Sequence, residues 1–426
     1  MIDQPAQFLS RHLNAPRRPV FVQGCFSQTS SFPFVNNLAF DLFWIFFLAC
    51  LTRVTLLPDL NSLAWAVADG ITVLAFVQNP SLYLETFKRN ILLLSWPMIA
   101  ILSSIWSLLP QVSFYHSIQF ILNSFVAFVM IRHAGLDRFI RILFFFNFTL
   151  QGLSLLLMLV NSGLSLDAGG NFKGVYLHKN ELGVFSTLQI ICATALFLSG
   201  WKKWLSGSAL LLAFLMLLKS GSGTSTLLAI FVLGLYPVFL VIRRGFVPAG
   251  IMIGILIAIA AAVALGIVVS QIDVVNLILS ALGKDPGLTG RDIIWTIGMD
   301  AAVAMPVLGH GFLAYWGSGE STAGYLRYVL KQDLVAFHNV YLETTVAFGL
   351  VGLTLLIVGL LQQIVRAFLF LLRRGDIIAL TPLVFILWMT MLSLSENPIF
   401  WNSQTHFMVM CFAAITCSST SAINEK

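Results

Sequence analysis

Residues Ile251 to Val269 read IMIGILIAIAAAVALGIVV, nineteen consecutive residues without a charged side chain. A membrane-spanning α-helix needs about 20 predominantly apolar residues, whereas a strand of a membrane barrel alternates apolar and polar positions. This run does not alternate. It therefore predicts a transmembrane helix and excludes a β-barrel.

Similar apolar runs make up most of the chain. Of its 426 residues, 58% are hydrophobic and only 10% are charged, and the mean hydropathy is +0.91. Soluble domains carry about a quarter charged residues, so a soluble globular protein is excluded. The sequence predicts an all-α polytopic membrane protein.

Windows of about twenty residues predict about 12 transmembrane helices. The polar stretch Ser220 to Gly223 separates two of them and reads either as a turn or as a broken helix inside the membrane. The predicted spans lie at 34–52, 60–77, 91–109, 114–131, 139–162, 181–199, 206–220, 222–242, 250–270, 339–363, 377–395 and 402–418.

The basic residues predict the orientation of these spans, because cytoplasmic loops carry an excess of Lys and Arg. Sixteen of the 24 basic residues lie inside and eight outside when both ends of the chain are cytoplasmic. The N-terminal residues before the first predicted span do not resemble a cleavable signal peptide, so the first helix is expected to be an uncleaved anchor. The predicted domains are a cytoplasmic leader at 1–33, transmembrane helices 1–9 at 34–270, a long periplasmic loop with amphipathic helices at 271–337, transmembrane helices 10–12 at 338–418, and a cytoplasmic tail at 419–426.

Several function classes lack their motifs. The basic residues form no stripe, so no nucleic-acid partner is expected. The five cysteines form no CxxC pair and are predicted to be small buried hydrophobes. No HExxH or DxD pattern indicates a metal site, and no GxxxxGK[ST] loop indicates a nucleotide site. We therefore predict neither metal nor cofactor, and we disfavour a primary pump or an enzyme using a cytoplasmic nucleotide sugar.

The long loop at 271–337 is the least lipid-like part of the chain and contains Arg291 and Arg327. Residues 292–304 can form an amphipathic helix, which Pro306 would end. Such a helix at the membrane interface would hold Arg291 near the lipid headgroups. The alternative is a solvated loop anchored by interfacial aromatic residues.

Three polar side chains lie where outer loops meet spans. His338 can accept a proton near neutral pH, or it is only an interfacial polar residue. Lys179 can offer a cation and a helix N-terminus to an anion, or it is a cap at the membrane boundary. Glu396 can orient a basic group, or it forms part of a cap and turn.

Two carboxylates lie within the first two predicted spans. Asp41 and Asp69 are functional candidates because charge in hydrocarbon is costly. The favoured interpretation is structural pairing with polar neighbours, at 36–37 for Asp41 and at 61–62 for Asp69.

Several ordered motifs resemble the O-antigen ligase superfamily, which includes ExoQ-like exopolysaccharide polymerases. Their order, their spacing and the long loop between them carry the resemblance, which covers nearly the whole chain. The motifs are GVYLHKNELG at 174–183, GRDIIW at 290–295, GHGF at 309–312, HNVYLE at 338–343 and FGLVG at 348–352, with Trp106-Ser107 before Pro110.

The resemblance implies a GT-C-like glycosyltransferase in the bacterial inner membrane with its active site facing the periplasm. Such an enzyme takes a glycan from an undecaprenyl diphosphate carrier and transfers it to a sugar hydroxyl without a metal ion. The family's arginine and histidine match Arg291 and His338, and Asn339 completes the HN pair. The implied partners are this lipid-linked donor, a glycan acceptor, the bilayer, and chain-length and export proteins.

One motif departs from the family. Its ligases place an arginine in a serine-rich turn between two mid-chain spans, where this chain has Lys219 and no arginine. Lysine is a point charge and not a bidentate fork. This departure and the ExoQ-like segment His178-Lys179-Asn180 favour a polymerase over a ligase. The sequence does not identify the acceptor or the sugars.

The chemistry of the reaction agrees with these residues. Displacement of diphosphate from an anomeric carbon builds negative charge, which fixed cations can stabilise. Arg291 is the first candidate for the phosphates, with Lys179 and Lys219 as weaker helpers and Arg327 and Asn339 as further candidates for substrate binding. His338 would accept the proton of the attacking hydroxyl, oriented by Glu396, and inversion at the anomeric carbon is expected.

Two rivals belong to other classes. A secondary transporter or flippase of lipid-linked glycans predicts functional charges near the bilayer midplane, where Asp41, Asp69 and the break near Gly221 would act. A scaffold for an export complex predicts that substitutions of the candidate catalytic residues are harmless.

Overall fold

The computed structural model of the protein describes residues 38–52, 60–167, 169–243, 254, 291–331, 334–398 and 404–418. Within these ranges the regular elements are helices, and the only strand-like pairing is an isolated antiparallel bridge between Leu166 and Phe172. The prediction of an all-α fold is therefore confirmed for the described chain. Apart from Gly254, the predicted span at 250–270 lies outside the described residues, as do the leader, the tail and positions 271–290.

Five α-helices form the first part of the fold within the described residues, up to residue 160. A proline occupies the first helical position of two of them, Pro80 and Pro110, where its missing N–H costs nothing. We number the helices α1 (Leu38–Leu51), α2 (Asn61–Gln78), α3 (Pro80–Arg89), α4 (Ile91–Leu102) and α5 (Pro110–Val160).

Helix α3 lies between the predicted spans at 60–77 and 91–109 and was not predicted from the sequence. Its Glu85 and Arg89 form an exposed ion pair one turn apart, while Phe87 stacks on Phe76 of α2. The element is a short amphipathic helix, too polar for a span and too ordered for a loop.

Helix α5 contains two of the predicted spans. It is 51 residues long and is interrupted at Gly135, whose φ of 65° and ψ of 175° are not helical. Glycine tolerates this left-handed region because it lacks a Cβ atom. The segments on either side of Gly135 correspond to the predicted spans at 114–131 and 139–162.

Three helices follow the loop at 161–178. Gly221 ends the second of them in a left-handed conformation, and the next helix begins at Gly223. The break at Ser220 to Gly223 is therefore a turn between two helices. The three helices are α6 (Lys179–Ser199), α7 (Lys203–Ser220) and α8 (Gly223–Arg243).

The predicted long loop contains helices, as expected. The predicted amphipathic helix at 292–304 is confirmed as an element that ends before Pro306. These helices are α9 (Arg291–Ala304), α10 (Ala314–Gly317) and α11 (Ala323–Leu330), and the last three helices are α12 (Val340–Arg374), α13 (Thr381–Leu392) and α14 (Gln404–Ser418).

Five of these helices, α5, α6, α7, α8 and α12, are long and apolar enough to cross a membrane. Five shorter apolar segments, which include α1, α4 and α14, accompany them. The protein is therefore a multi-pass helical membrane protein. The count of twelve spans, the domain boundaries and the GT-C-like architecture stay predictions.

Two ion pairs lie close together at one end of the bundle, because Asp137 and Arg138 are neighbours in sequence. Arg138 donates to Asp41 at 2.6 Å, and Arg374 donates to Asp137 at 2.8 Å. Asp41 is thus structurally paired with Arg138, while the neighbours expected at 36–37 lie outside the described residues. Asp69 bonds neither Asn61 nor Ser62, and its buried Oδ1 has no partner among the described residues.

The cysteines are buried hydrophobes where the structure describes them. Cys50, Cys192 and Cys411 are buried and not in disulfides. Cys25 and the side chain of Cys417 lie outside the described residues.

Three of the sequence motifs meet in one backbone junction. Trp106 Nε1 donates to the carbonyl of Leu308 at 2.9 Å, and Phe312 N–H donates to Ser103 Oγ at 3.0 Å. Helix α12 is kinked at Gly349, and the carbonyl of Val346 accepts from His310 N–H at 2.8 Å. These motifs therefore join the turn before α5, the segment after α9 and the kink of α12.

Candidate active site

His338 lies between the loop and the first turn of α12 in a strained conformation. Its φ of 53° is in the left-handed region, which costs a non-glycine residue about 1–2 kcal/mol. The flanking chain holds it there. Trp295 Nε1 donates to the carbonyl of Phe337 at 2.8 Å, and Val340 N–H donates to the carbonyl of Ser393 at 2.9 Å.

The imidazole of His338 contacts a carboxylate from a distant part of the chain. His338 Nδ1 lies 3.1 Å from Glu396 Oε2, and the two side chains are 39% and 20% exposed. Glu396 is fixed in the turn after α13, where its N–H donates to the carbonyl of Leu392 at 2.9 Å. If Nδ1 carries the proton that is donated to Glu396, the lone pair of Nε2 is the one that can accept a proton.

A third segment completes this arrangement. Asn180 Nδ2, in the first turn of α6, donates to Glu396 Oε1 at 3.2 Å. His338, Glu396 and Asn180 therefore form one hydrogen-bonded chain across three helix ends. The sequence analysis placed His338 and Glu396 together as base and orienting partner but gave no role to Asn180.

Lys179 is the first residue of α6 and directly precedes Asn180. Its Nζ donates to Asn171 Oδ1 at 3.2 Å. Asp167 Oδ1 accepts from the N–H groups of Gly169 and Asn171, both at 2.9 Å. Burial opposes ionisation of Asp167, but these hydrogen bonds and the charge of Lys179 outweigh it and lower the pKa of Asp167. The ammonium group of Lys179 is therefore hydrogen-bonded to Asn171 and interacts electrostatically with Asp167.

Lys219 is exposed in the last turn of α7. The serine-rich turn that follows packs on α6: Thr187 Oγ1 donates to the carbonyl of Ser225 at 3.2 Å. A Cβ atom on Gly183 would lie 2.7 Å from Ser225 Oγ. The turn and the first turns of α6 are therefore in close contact, so Lys219 and Lys179 lie at the same end of these helices.

Arg291 is the first residue of α9, and its side chain lies outside the described residues. Trp295, which contacts the carbonyl of Phe337, is one helical turn further along, or about 6 Å of rise. Helix α9 also packs closely on α12, because a Cβ atom on Gly298 would lie 2.8 Å from Leu342 Cδ2. The approach of the Arg291 side chain to His338 stays a prediction.

Two further candidates make structural contacts. Arg327 donates to the carbonyls of Leu334 and Trp316, both at 2.8 Å. Asn339 Oδ1 caps α12 by accepting from Leu342 N–H at 3.1 Å. These contacts order the loop, and the substrate-binding roles of Arg327 and Asn339 stay predictions.

The sequence analysis missed Glu343. It is 3% exposed, and its carboxylate accepts hydrogen bonds from Trp316 Nε1 and Phe337 N–H, both at 2.8 Å. The sequence feature that could have identified Glu343 is a carboxylate five residues after His338 in the apolar sequence of α12.

Two comparisons with known proteins bear on these residues. Residues 208–357 match the family described as O-Antigen ligase, a range that includes Lys219, Arg291 and His338. The chain is also 33% identical over 287 residues to the Exopolysaccharide production protein ExoQ of Rhizobium meliloti (strain 1021). That match covers 64% of this chain and 64% of the relative, just under two thirds of its length. The comparisons confirm the family resemblance that the motifs indicated.

Proposed function

We propose, from the premise that this chain is a relative of the O-antigen ligases and ExoQ, that it is a membrane glycosyltransferase. It transfers oligosaccharide repeat units from an undecaprenyl diphosphate carrier to a glycan hydroxyl at the periplasmic face of the bacterial inner membrane. The observation that carries the proposal is the contact between His338 Nδ1 and Glu396 Oε2 at 3.1 Å. It joins the family's histidine to a carboxylate at an exposed end of the helix bundle.

His338 is the proposed general base. Glu396 accepts the Nδ1 proton, so that Nε2 takes the proton of the acceptor hydroxyl as its oxygen attacks the anomeric carbon. The bond between that carbon and the diphosphate oxygen breaks, and undecaprenyl diphosphate leaves with the electron pair. A single displacement of this kind inverts the anomeric centre.

Arg291 is the proposed electrostatic partner of the leaving group. A guanidinium can hold two phosphate oxygens in a bidentate manner, and it would neutralise charge that develops in the transition state. Lys219 would assist from the last turn of α7. We expect the reaction to proceed without a metal ion, as the resemblance implies, and therefore to persist in EDTA.

Polymerisation is the favoured form of the reaction. Lys219 occupies the turn in which the ligases carry an arginine, and the matched relative is named for exopolysaccharide production. A deletion strain distinguishes the two forms, since a polymerase mutant lacks high-mass polysaccharide and a ligase mutant makes lipid A without its outer chain.

The function is tested by Arg291→Ala and His338→Ala in the deletion strain, with membrane expression measured. We expect loss of long polymer and accumulation of lipid-linked repeat units, because the repeat units are still made but not joined. His116→Ala is the matched control, since His116 bonds only Gln119 among the described residues, at 3.1 Å. Normal polymer from both site variants would remove the proposal, and repeat units trapped on the cytoplasmic face would favour a flippase.

A further inference from the structure

Glu343 is a buried carboxylate to which neither the motifs nor the comparisons give a role. It lies in the first turn of α12 and is 3% exposed. Its Oε1 accepts from Trp316 Nε1 at 2.8 Å, and its Oε2 accepts from Phe337 N–H at 2.8 Å and from Asn397 Nδ2 at 3.2 Å. A carboxylate is tolerated in such a place only when hydrogen bonds satisfy it, and here three donors do so.

The positions of two of these donors are informative. Phe337 directly precedes His338, and Asn397 directly follows Glu396. One oxygen atom of Glu343 therefore ties together the two chain segments that carry the proposed base and its orienting carboxylate. These segments are 58 residues apart in sequence, so their alignment depends on such long-range contacts.

We propose that Glu343 is a positioning residue that fixes the His338–Glu396 pair for proton transfer through the two hydrogen bonds accepted by Oε2. The inference rests on the proposed function of His338. The left-handed backbone of His338 is held only by its surroundings, and a shift of the peptide at Phe337 would displace the imidazole. A misplacement of about 1 Å in an active site can cost about 100-fold in rate.

The two oxygens of Glu343 have separable tasks. Oε1 anchors Trp316, whose ring also packs against Phe337 with centroids 4.7 Å apart. Asn397→Ala removes one of the two Oε2 bonds, whereas Trp316→Phe removes only the Oε1 bond and keeps an aromatic ring. Positioning through Oε2 predicts that Asn397→Ala impairs the reaction more than Trp316→Phe does.

The test uses the full chain in lipid nanodiscs. Its donor is the lipid-linked oligosaccharide extracted from a strain that lacks this gene. We expect Glu343→Gln and Asn397→Ala to lower kcat about 10- to 100-fold while leaving KM within about twofold, because the interaction matters only in the transition state. Thr344→Val is the matched control, since the buried Thr344 hydroxyl has no partner among the described residues, and it should retain wild-type kcat.

A double variant adds a readout that a general folding role would not give. Glu343→Gln with Asn397→Ala should lose no more than Glu343→Gln alone, because both changes break the same link. Full kcat in Glu343→Gln, an additive loss in the double variant, or a raised KM at normal kcat would overturn the inference. If Glu343→Gln fails to fold, Asn397→Ala decides alone.

The same assay separates this inference from the proposed function. His338→Ala and Arg291→Ala are measured beside the Glu343 variants. Activity in the His338 and Arg291 variants would overturn the proposed function itself. Their inactivity together with full activity of Glu343→Gln would overturn only the role of Glu343.

Discussion

Gly349 touches the main chain of Val307 so closely that a Cβ atom on the glycine would lie 2.2 Å from the Val307 carbonyl carbon. Gly349 has a φ of 63° and interrupts α12. The backbone groups that the kink releases are used by the crossing segment, because Leu350 N–H donates to the carbonyl of Pro306 at 2.8 Å. The kink is therefore a hydrogen-bonded junction that holds the segment between α9 and α10 against α12.

Gly349→Ala should destabilise the protein by roughly 1–3 kcal/mol or more, because it combines left-handed strain with a backbone clash. Thermal unfolding in detergent measures the loss. Gly359→Ala, in the same helix, is the control, since its Cβ atom would meet only the carbonyl of Leu92 at an ordinary 3.5 Å. Equal melting temperatures for the two variants would show that the junction can relax.

Much of the fold could be predicted because its signals are local. Apolar runs indicated membrane helices, and Pro306 marked the end of α9. Helix α3 was missed because its helical character comes from Tyr83 and Phe87 packing on neighbouring helices, which no hydropathy window detects. The pairing of Asp41 with Arg138 was not predicted for a similar reason, since Arg138 is distant in sequence and close only in the folded bundle.

The candidate site was predictable as residue types but not as a network. His338 and Glu396 stood out because ionisable residues are few in so apolar a chain. Asn180 and Glu343 lie within the motifs, but their roles could not be predicted, because their partners come from three other chain segments. Trp106, Gly309 and Gly311 form a packing junction. In a sequence, a motif that serves packing looks the same as one that serves catalysis.

The Asp41–Arg138 pair is predicted to be structural. Its side chains are 34% and 17% exposed, and Arg138 also lies over the ring of Phe40 at 4.4 Å. Asp41→Ala should therefore cost roughly 1–2 kcal/mol of stability and leave polymer production intact. Thermal unfolding and the polysaccharide profile are the two measurements.

The exposed Glu85–Arg89 pair of α3 provides the comparison for this loss. Glu85→Ala should change stability by less than about 1 kcal/mol, as is usual for surface ion pairs. Loss of polymer from well-folded Asp41→Asn would instead support a transport role for this carboxylate.

The loop before α6 should lose order in acid. The pKa of Asp167 is lower in the folded protein than its ordinary value of 3.8, so ionised Asp167 stabilises the loop above about pH 4 and this contribution disappears as the pH falls further. Hydrogen exchange should show the amides of Gly169 and Asn171 protected at pH 7 and less protected once the pH falls below the lowered pKa of Asp167, after correction for intrinsic rates.

Asp167→Ala should remove this protection at both pH values, whereas Asp300→Ala, a change at an exposed acid of α9, should not. Protection that is unchanged by acid would show that the loop is held by other bonds, such as Lys173 N–H to the carbonyl of Ser165 at 2.9 Å.

Asn180 offers the sharpest electrostatic test of the candidate site. Its Nδ2 donates to Glu396 Oε1 at 3.2 Å, so Asn180→Asp replaces a donor with a second carboxylate of the same shape. Two like charges at this distance repel, and Glu396 would turn away from the repulsion or bind a proton. Either response weakens its hold on His338. We expect Asn180→Asp to lower kcat more than Asn180→Ala, which removes the donor without adding charge.

Asn161→Asp makes the same chemical change in the preceding loop, where Asn161 Oδ1 accepts only from Leu164 N–H among the described residues, at 3.4 Å. An oxygen acceptor is retained there, so activity should be normal. The measurement is kcat with the extracted lipid-linked donor, with the melting temperature of each variant as the check on folding. If Asn180→Asp and Asn161→Asp were equally active, Glu396 would not depend on Asn180 for its orientation, and the His338–Glu396 contact would have to be maintained from the α12 side alone.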